Sequence, residues 1–232
     1  MARSSSGRAE QREDASAFVP ESRSLSDLTA AVQACTACPL YIDTTQAVFG
    51  KGSRSPRLIL VGEQPGDVED RRGLPFVGPA GRVLWECVEA AGIDRRSLYA
   101  TNAVKHFKHE NRGKRRLHKK PSTDEIEACH PWLDAELDAF PKANIVALGA
   151  TAARSVLGKT VTISAGRLAP TMLGSRTVFV TYHPSAVLRA DDRAAEVRAA
   201  LVADLTAAWA ASSRPRSVSS PAAGGNGSGR SD

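Results

Sequence analysis

Residues 57–66 read RLILVGEQPG. Residues 57–62 (RLILVG) read as a short buried strand, and a glycine-rich turn, Gly62 to Asp67, follows at its carboxyl end. Ligand sites of open α/β sheets lie at the carboxyl ends of their strands, so this turn is the first place to look for chemistry. Three further stretches repeat the strand pattern: 97–104 (SLYATNAV), 144–148 (NIVAL) and 177–181 (TVFVT). Helical periodicity fills the intervals at about 82–91, 123–140, 149–157 and 192–211, with Ser122 and Glu125 in capping-box register before the second of these. Residues 160–176 read as a turn-rich connection. Strands alternating with helices predict a three-layer α/β/α fold with a central four-stranded parallel sheet.

In such a sheet the carboxyl ends of the strands share one edge. Glu63 and Gln64 follow the first strand, Asn102 ends the second, and His183 follows the fourth, so these groups are expected to meet in one pocket. Phe76, in PFVGPAG (75–81), sits on a loop leaving the same edge.

Between the second strand and the 123–140 helix lies KHFKHENRGKRRLHKK, residues 105–120. This stretch holds eight Lys or Arg and one acid, a local charge of +7 in a chain of net charge +6, so the remainder is close to neutral. A concentrated cationic segment is the footprint of phosphate-backbone binding, although a solvated charged loop has the same composition. The connection runs to about 18 residues, longer than compact domains commonly use without a functional reason.

Residues 1–24 and 212–232 have tail composition, rich in Ser with Arg and Glu or with Gly and Pro, and are expected to be disordered. That assigns 25–211 to one domain, large enough for a substantial core. No apolar run approaches a membrane span and the N-terminus has no apolar signal region, so a cytoplasmic protein is the default, and a monomer is expected. Four cysteines in that compartment point to free thiols or a metal site. Cys35 and Cys38 form a CxxC pair, the spacing of a metal-gripping turn or of a redox couple. Cys87 lies on the apolar face of a helix and reads as core.

GEQPG (62–66), PFVGPAG (75–81), TNAVK (101–105) and HPSAVLR (183–189) together resemble the uracil-DNA glycosylase superfamily, in particular its iron–sulfur branch. KRRLH (114–118) resembles the loop that marks the UdgX group, known for bonding covalently to DNA after excising uracil, with Leu117 where that loop usually has Ile. The resemblance spans about residues 30–210. It implies uracil-containing DNA, single- or double-stranded, as partner, and in a bacterium a nucleoid-associated location. It also implies that Phe76 stacks on the flipped base, Asn102 reads its edge, and His183 and Gln64 complete the pocket. Glu63 would orient or activate a nucleophile, and His118 would attack the sugar C1′. Lys114, Arg115, Arg116 and Ser185 would contact DNA. The metal ligands implied are Cys35, Cys38 and Cys129, with His106 at the remaining family position. A 4Fe–4S cluster is the expected occupant, with zinc the alternative for a Cys₃His set. A glycosylase that turns over, with the basic loop only binding DNA, and a non-enzymatic metal-stabilised nucleic-acid-binding module are the competing readings.

Overall fold

A computed structural model describes residues 14–167 and 169–212. In chain order the elements are α1 (Leu25–Ala31), β1 (Lys51–Gly52), β2 (Leu58–Gly62), α2 (Asp67–Arg72), α3 (Pro79–Ala90), β3 (Leu98–Asn102), β4 (His109–Arg112) and β5 (Arg115–His118). They continue with α4 (Thr123–Asp138), β6 (Asn144–Leu148), α5 (Ala150–Leu157), α6 (Ile163–Gly166), β7 (Thr171–Leu173), β8 (Arg176–Thr181), α7 (Ser185–Leu188) and α8 (Ala194–Ser212).

The main sheet has six strands in the order β1-β3-β2-β6-β8-β7. Its inner four, β3-β2-β6-β8, are mutually parallel, as the alternation of strands and helices predicts. The edges differ from the expected four-stranded sheet: β1 and β7 add antiparallel strands on β3 and β8. Both are two or three residues long, too short to carry a period-2 signal. From β2 the chain builds outward to β3 on one side and to β6 and β8 on the other, so the topological switch falls at β2.

Alternating side chains of the parallel strands feed two cores. Leu58, Leu60, Val146 and Leu148 pack with Leu84, Cys87, Leu201 and Leu205 on one face. Ile59, Val61, Ile145 and Ala147 pack with Leu133, Leu137 and Val156 on the other. Cys87 is therefore core, as expected. A third cluster joins Leu28, Val32 and Cys35 to Cys129 and Trp132 of α4, and Ala15 is fully buried in it. The turn Ala15–Phe18, inside the expected N-terminal tail, docks on α4. Residues 1–13 and 213–232 of the expected tails lie outside the described residues.

The basic stretch is not a loop. β4 and β5 form a separate antiparallel hairpin in which Arg112 faces Arg115 and His109 faces His118. Gly113, at φ +60, opens its two-residue turn, where a positive φ matches the twist of the strands. Glu125 fastens the hairpin's root to α4: it completes the capping box with Ser122 and pairs with Lys108 at 2.9 Å. Among the described residues no helix is long and apolar enough to cross a membrane.

Candidate active site

A pocket of about 820 Å³ opens at the carboxyl edge of the parallel strands, lined by Glu63, Gln64, Phe76, Asn102, His118 and His183 among others. All six residues expected to form the base-binding and reacting centre are brought together there.

Gly62 and Asn102 are paired across β2 and β3. A Cβ at Gly62 would stand 2.3 Å from the Asn102 amide oxygen and 2.7 Å from the Phe76 ring, so only glycine lets the amide and ring converge. Asn102 is buried, and its backbone carbonyl accepts the Lys105 ammonium at 2.7 Å. Phe76 adopts φ +55, a left-handed conformation that a bulky residue rarely takes. Its surroundings impose it. Trp85 Nε1 donates to the Phe76 carbonyl at 2.8 Å and the two rings meet edge to face at 6.4 Å. Glu69 accepts the next two amides, of Val77 and Gly78, at 3.1 and 2.8 Å.

Gln64 reaches His118. The Gln64 amide oxygen accepts the Lys108 N–H at 2.9 Å, which leaves its nitrogen to donate to the Lys119 carbonyl at 2.8 Å and the Lys108 carbonyl at 3.2 Å. The same nitrogen lies 2.9 Å from His118 Nε2. The –NH₂ group has two hydrogens for these three acceptors and cannot itself accept, so the contact is compatible with a neutral ring that carries its proton on Nδ1 and turns the Nε2 lone pair to Gln64. Burial holds the His118 pKa below the ordinary 6.5; Glu63 pulls it up and Arg189 pushes it further down. Glu63 Oε1 is 3.7 Å from Nε2, while Oε2 accepts the Thr151 hydroxyl.

His183 is fixed in the opposite sense. Its Nδ1 accepts the Ser185 backbone N–H at 3.2 Å, with Ser185 Oγ 2.7 Å away. A backbone amide only donates, so the proton of neutral His183 is on Nε2. Burial, followed by the charge of Arg189, pushes its pKa down to about 4. The ring is thus a neutral donor at physiological pH.

The cations divide. Lys114 and Arg115 are exposed, as DNA contacts require. Arg116, expected beside them, is instead committed to two acids: Nε to Asp67 at 2.5 Å and Nη1 to Asp70 at 2.7 Å. Ser185, also expected at DNA, is held between His183 and the Arg189 guanidinium, which donates to its Oγ at 2.9 Å. Several lining residues stand outside the expected site. Thr151 sits in an ordinary helical run; Leu188 and Arg189, given no role although they close the HPSAVLR motif, are exposed at the pocket mouth.

Cys35, Cys38 and Cys129 are free thiols whose charges act on one another. Burial pushes the Cys129 thiol up to about 12, although Lys105 pulls it down and donates its backbone N–H to the sulfur at 3.3 Å. His106 is buried and pushed down to about 4 by desolvation, but its charged neighbour is Asp70. Among the described residues no three His, Cys, Asp or Glu side chains are drawn close enough to hold an ion. The expected Cys₃His set is therefore not a closed ligand shell: Cys35 and Cys129 share one buried cluster, Cys38 acts on Cys129 through its charge, and His106 is buried beside Asp70. Its chemistry fits a soft cation, which would offset the cost of ionising buried thiols.

The family model of the uracil DNA glycosylase superfamily matches residues 49–206, which include β2, β3, the hairpin and the His183 turn. The chain belongs to the uracil-DNA glycosylase superfamily. It is 40% identical over 176 residues to the type-4 uracil-DNA glycosylase of Thermotoga maritima, covering 75% of this chain and 87% of that protein. The type-4 enzyme of Sulfurisphaera tokodaii is 34% identical over 71% of this chain and 76% of its own length. That of Archaeoglobus fulgidus is 33% identical over 71% and 83%. The superfamily's fold accounts for the parallel sheet and the position of the pocket at its carboxyl edge.

Proposed function

We propose that this protein is a uracil-DNA glycosylase that flips uracil out of DNA, excises it, and then joins His118 to C1′ of the abasic sugar. The observation that carries the reading is the position of His118 Nε2, 2.9 Å from the Gln64 amide nitrogen and 3.7 Å from Glu63, at the pocket that also contains Phe76, Asn102 and His183. The KRRLH resemblance and the similarity to type-4 enzymes support it.

A flipped nucleotide costs a few kcal/mol of stacking and pairing, and the pocket returns this through Phe76 against the ring and the Asn102 amide against its O4 and N3–H. As the C1′–N1 bond breaks, its electron pair leaves with uracil, and His183 Nε2–H donates to O2 where negative charge gathers. The sugar becomes cationic at C1′, and Glu63 stabilises that charge. The His118 Nε2 lone pair forms the new C–N bond; the alkylated ring then sheds its Nδ1 proton to water, and the uracil anion is protonated at N1. In this tautomer Glu63 has no proton to take from Nε2, so its role is electrostatic. An alkyl imidazole is a poor leaving group, so one cycle ends the reaction.

Cys35, Cys38, Cys129 and His106 would hold a 4Fe–4S cluster, with zinc the alternative, tying the N-terminal segment to the root of the hairpin. The group would be structural and would supply no step of the reaction. Broad absorbance near about 400 nm, from sulfur-to-iron charge transfer, separates it from zinc.

The test is incubation with a uracil-containing single-stranded oligonucleotide followed by a denaturing gel. A band that stays shifted through heat and detergent, and that is lost in His118→Ala while uracil release continues, supports the reading. Free abasic product without a shifted band makes the protein a turnover glycosylase, and an unchanged oligonucleotide makes it a binding module.

A further inference from the structure

We infer that Thr151 is a positioning residue that assigns the two oxygens of Glu63 to separate tasks. The inference rests on the reading of Glu63 and His118 given above. The terminal torsion of a glutamate is soft and nearly two-fold, so a carboxylate at a pocket wall rotates unless something holds one oxygen. Thr151 does so. Its hydroxyl donates to Oε2, and it is the other oxygen, Oε1, that faces His118 Nε2 at 3.7 Å.

The fold makes Thr151 a rigid donor. β6 ends at Leu148, Gly149 turns the chain at φ +93, and Thr151 falls in the first turn of α5 with 5% exposure. A threonine inside a helix commonly returns its hydroxyl to the carbonyl four residues back. Here that residue is Ala147, still in β6 and paired with β8, so the hydroxyl is released toward the pocket. β-branching limits χ1, which restricts where the hydroxyl oxygen sits. The same turn brings Gly149 against His183, where an added Cβ would lie 3.0 Å from the His183 Cβ. One strand-to-helix junction therefore sets the distance between the group that receives negative charge and the group that faces positive charge.

With Oε2 occupied, Oε1 is left for the cation forming at C1′ and on the imidazole. On this reading Thr151 acts through Glu63 and not on the DNA itself, so its loss should slow chemistry without weakening binding.

The experiment compares Thr151→Val, which keeps the shape and removes the donor, with Thr151→Ser, which keeps the donor. Single-turnover rates of uracil release and of adduct formation are measured over a range of uracil oligonucleotide concentrations. The valine variant should lose about ten- to a hundredfold in the maximal rate of adduct formation, the size of one hydrogen bond to a charged group, with half-saturation unchanged. The serine variant should recover most of that rate. An unchanged maximal rate in the valine variant overturns the inference, as does a loss of equal size in both variants, which would mark a packing role. If the wild-type protein releases uracil but forms no adduct, the covalent reading fails by itself. The same comparison is then read in uracil release, where an unaffected valine variant overturns the positioning role.

Discussion

The Arg116 guanidinium binds Asp67 and Asp70 together, and the Asp70 side chain is wholly buried. Asp70 also accepts the Thr45 amide at 3.0 Å and the Thr45 hydroxyl at 2.6 Å. One arginine thus pins the β5 strand, two residues before His118, to α2 and to the segment preceding β1. Arg116→Ala leaves a buried carboxylate without its cation and should cost about 3 kcal/mol in chemical denaturation. It should also slow adduct formation more than uracil release, since the hairpin carries His118 and not the base pocket. Equal losses in both rates would show that the hairpin is not held by this contact.

Gly62→Ala tests the convergence of Asn102 and Phe76. The new methyl group meets the Asn102 amide oxygen at 2.3 Å, a separation that forces one partner to move. Uracil excision should fall by at least about a hundredfold, as misplacement by about 1 Å can do, while circular dichroism and the melting temperature change little. Wild-type excision by the alanine variant would mean that the pocket is more yielding than its packing implies.

Acid should act on His118 through its lone pair. Its pKa lies below 6.5, so adduct formation, measured as a single-turnover rate, should fall with acid about a midpoint below pH 6.5. A profile already halved at pH 6.5 or above would contradict the assignment. His183 gives a separate signature in stability. Its folded pKa of about 4 is below the unfolded value, so the folded state takes up its proton later than the unfolded chain does. The stability this provides is complete above pH 6.5 and drains away as pH falls toward 4. His183→Gln should flatten that part of the stability curve.

Lys105 and Glu136 are both fully buried and paired to each other. Glu136 also accepts the Tyr99 and Thr101 hydroxyls, each at 2.7 Å, and the Gly50 amide at 2.8 Å. Lys105→Met should cost about 3–5 kcal/mol, because it strands a carboxylate in the core; adding Glu136→Gln should return part of the loss. Denaturation of the single and double variants measures both.

Much of the sheet and pocket is legible in the chain. Buried strands such as Leu58–Val61 announce themselves by length and apolarity, and the groups just beyond them, Glu63, Asn102 and His183, follow from topology. The hairpin does not announce itself, because its residues are almost all polar and its one local cue is Gly113. Lys105 and Arg116 look like their neighbours in a basic run, yet both are consumed by acids far away in sequence, Glu136, Asp67 and Asp70. Pairing of that kind is set by tertiary contact and leaves no periodicity to read. Thr151 is hidden for the same reason: its hydroxyl matters because of Glu63, which lies in the turn after β2, far away in sequence.

The hairpin's charge has a thermodynamic consequence. Of the eight cations between 105 and 120, Lys105, Lys108, Arg116 and Lys119 face carboxylates of the protein itself. Arg112, Lys114, Arg115 and Lys120 remain as exposed cations. Binding to single-stranded DNA through these four should release counterions with a slope of about −3 in log affinity against log salt concentration, half of what the bare sequence would give. The protein should therefore keep its grip on DNA as ionic strength rises better than its isoelectric point implies.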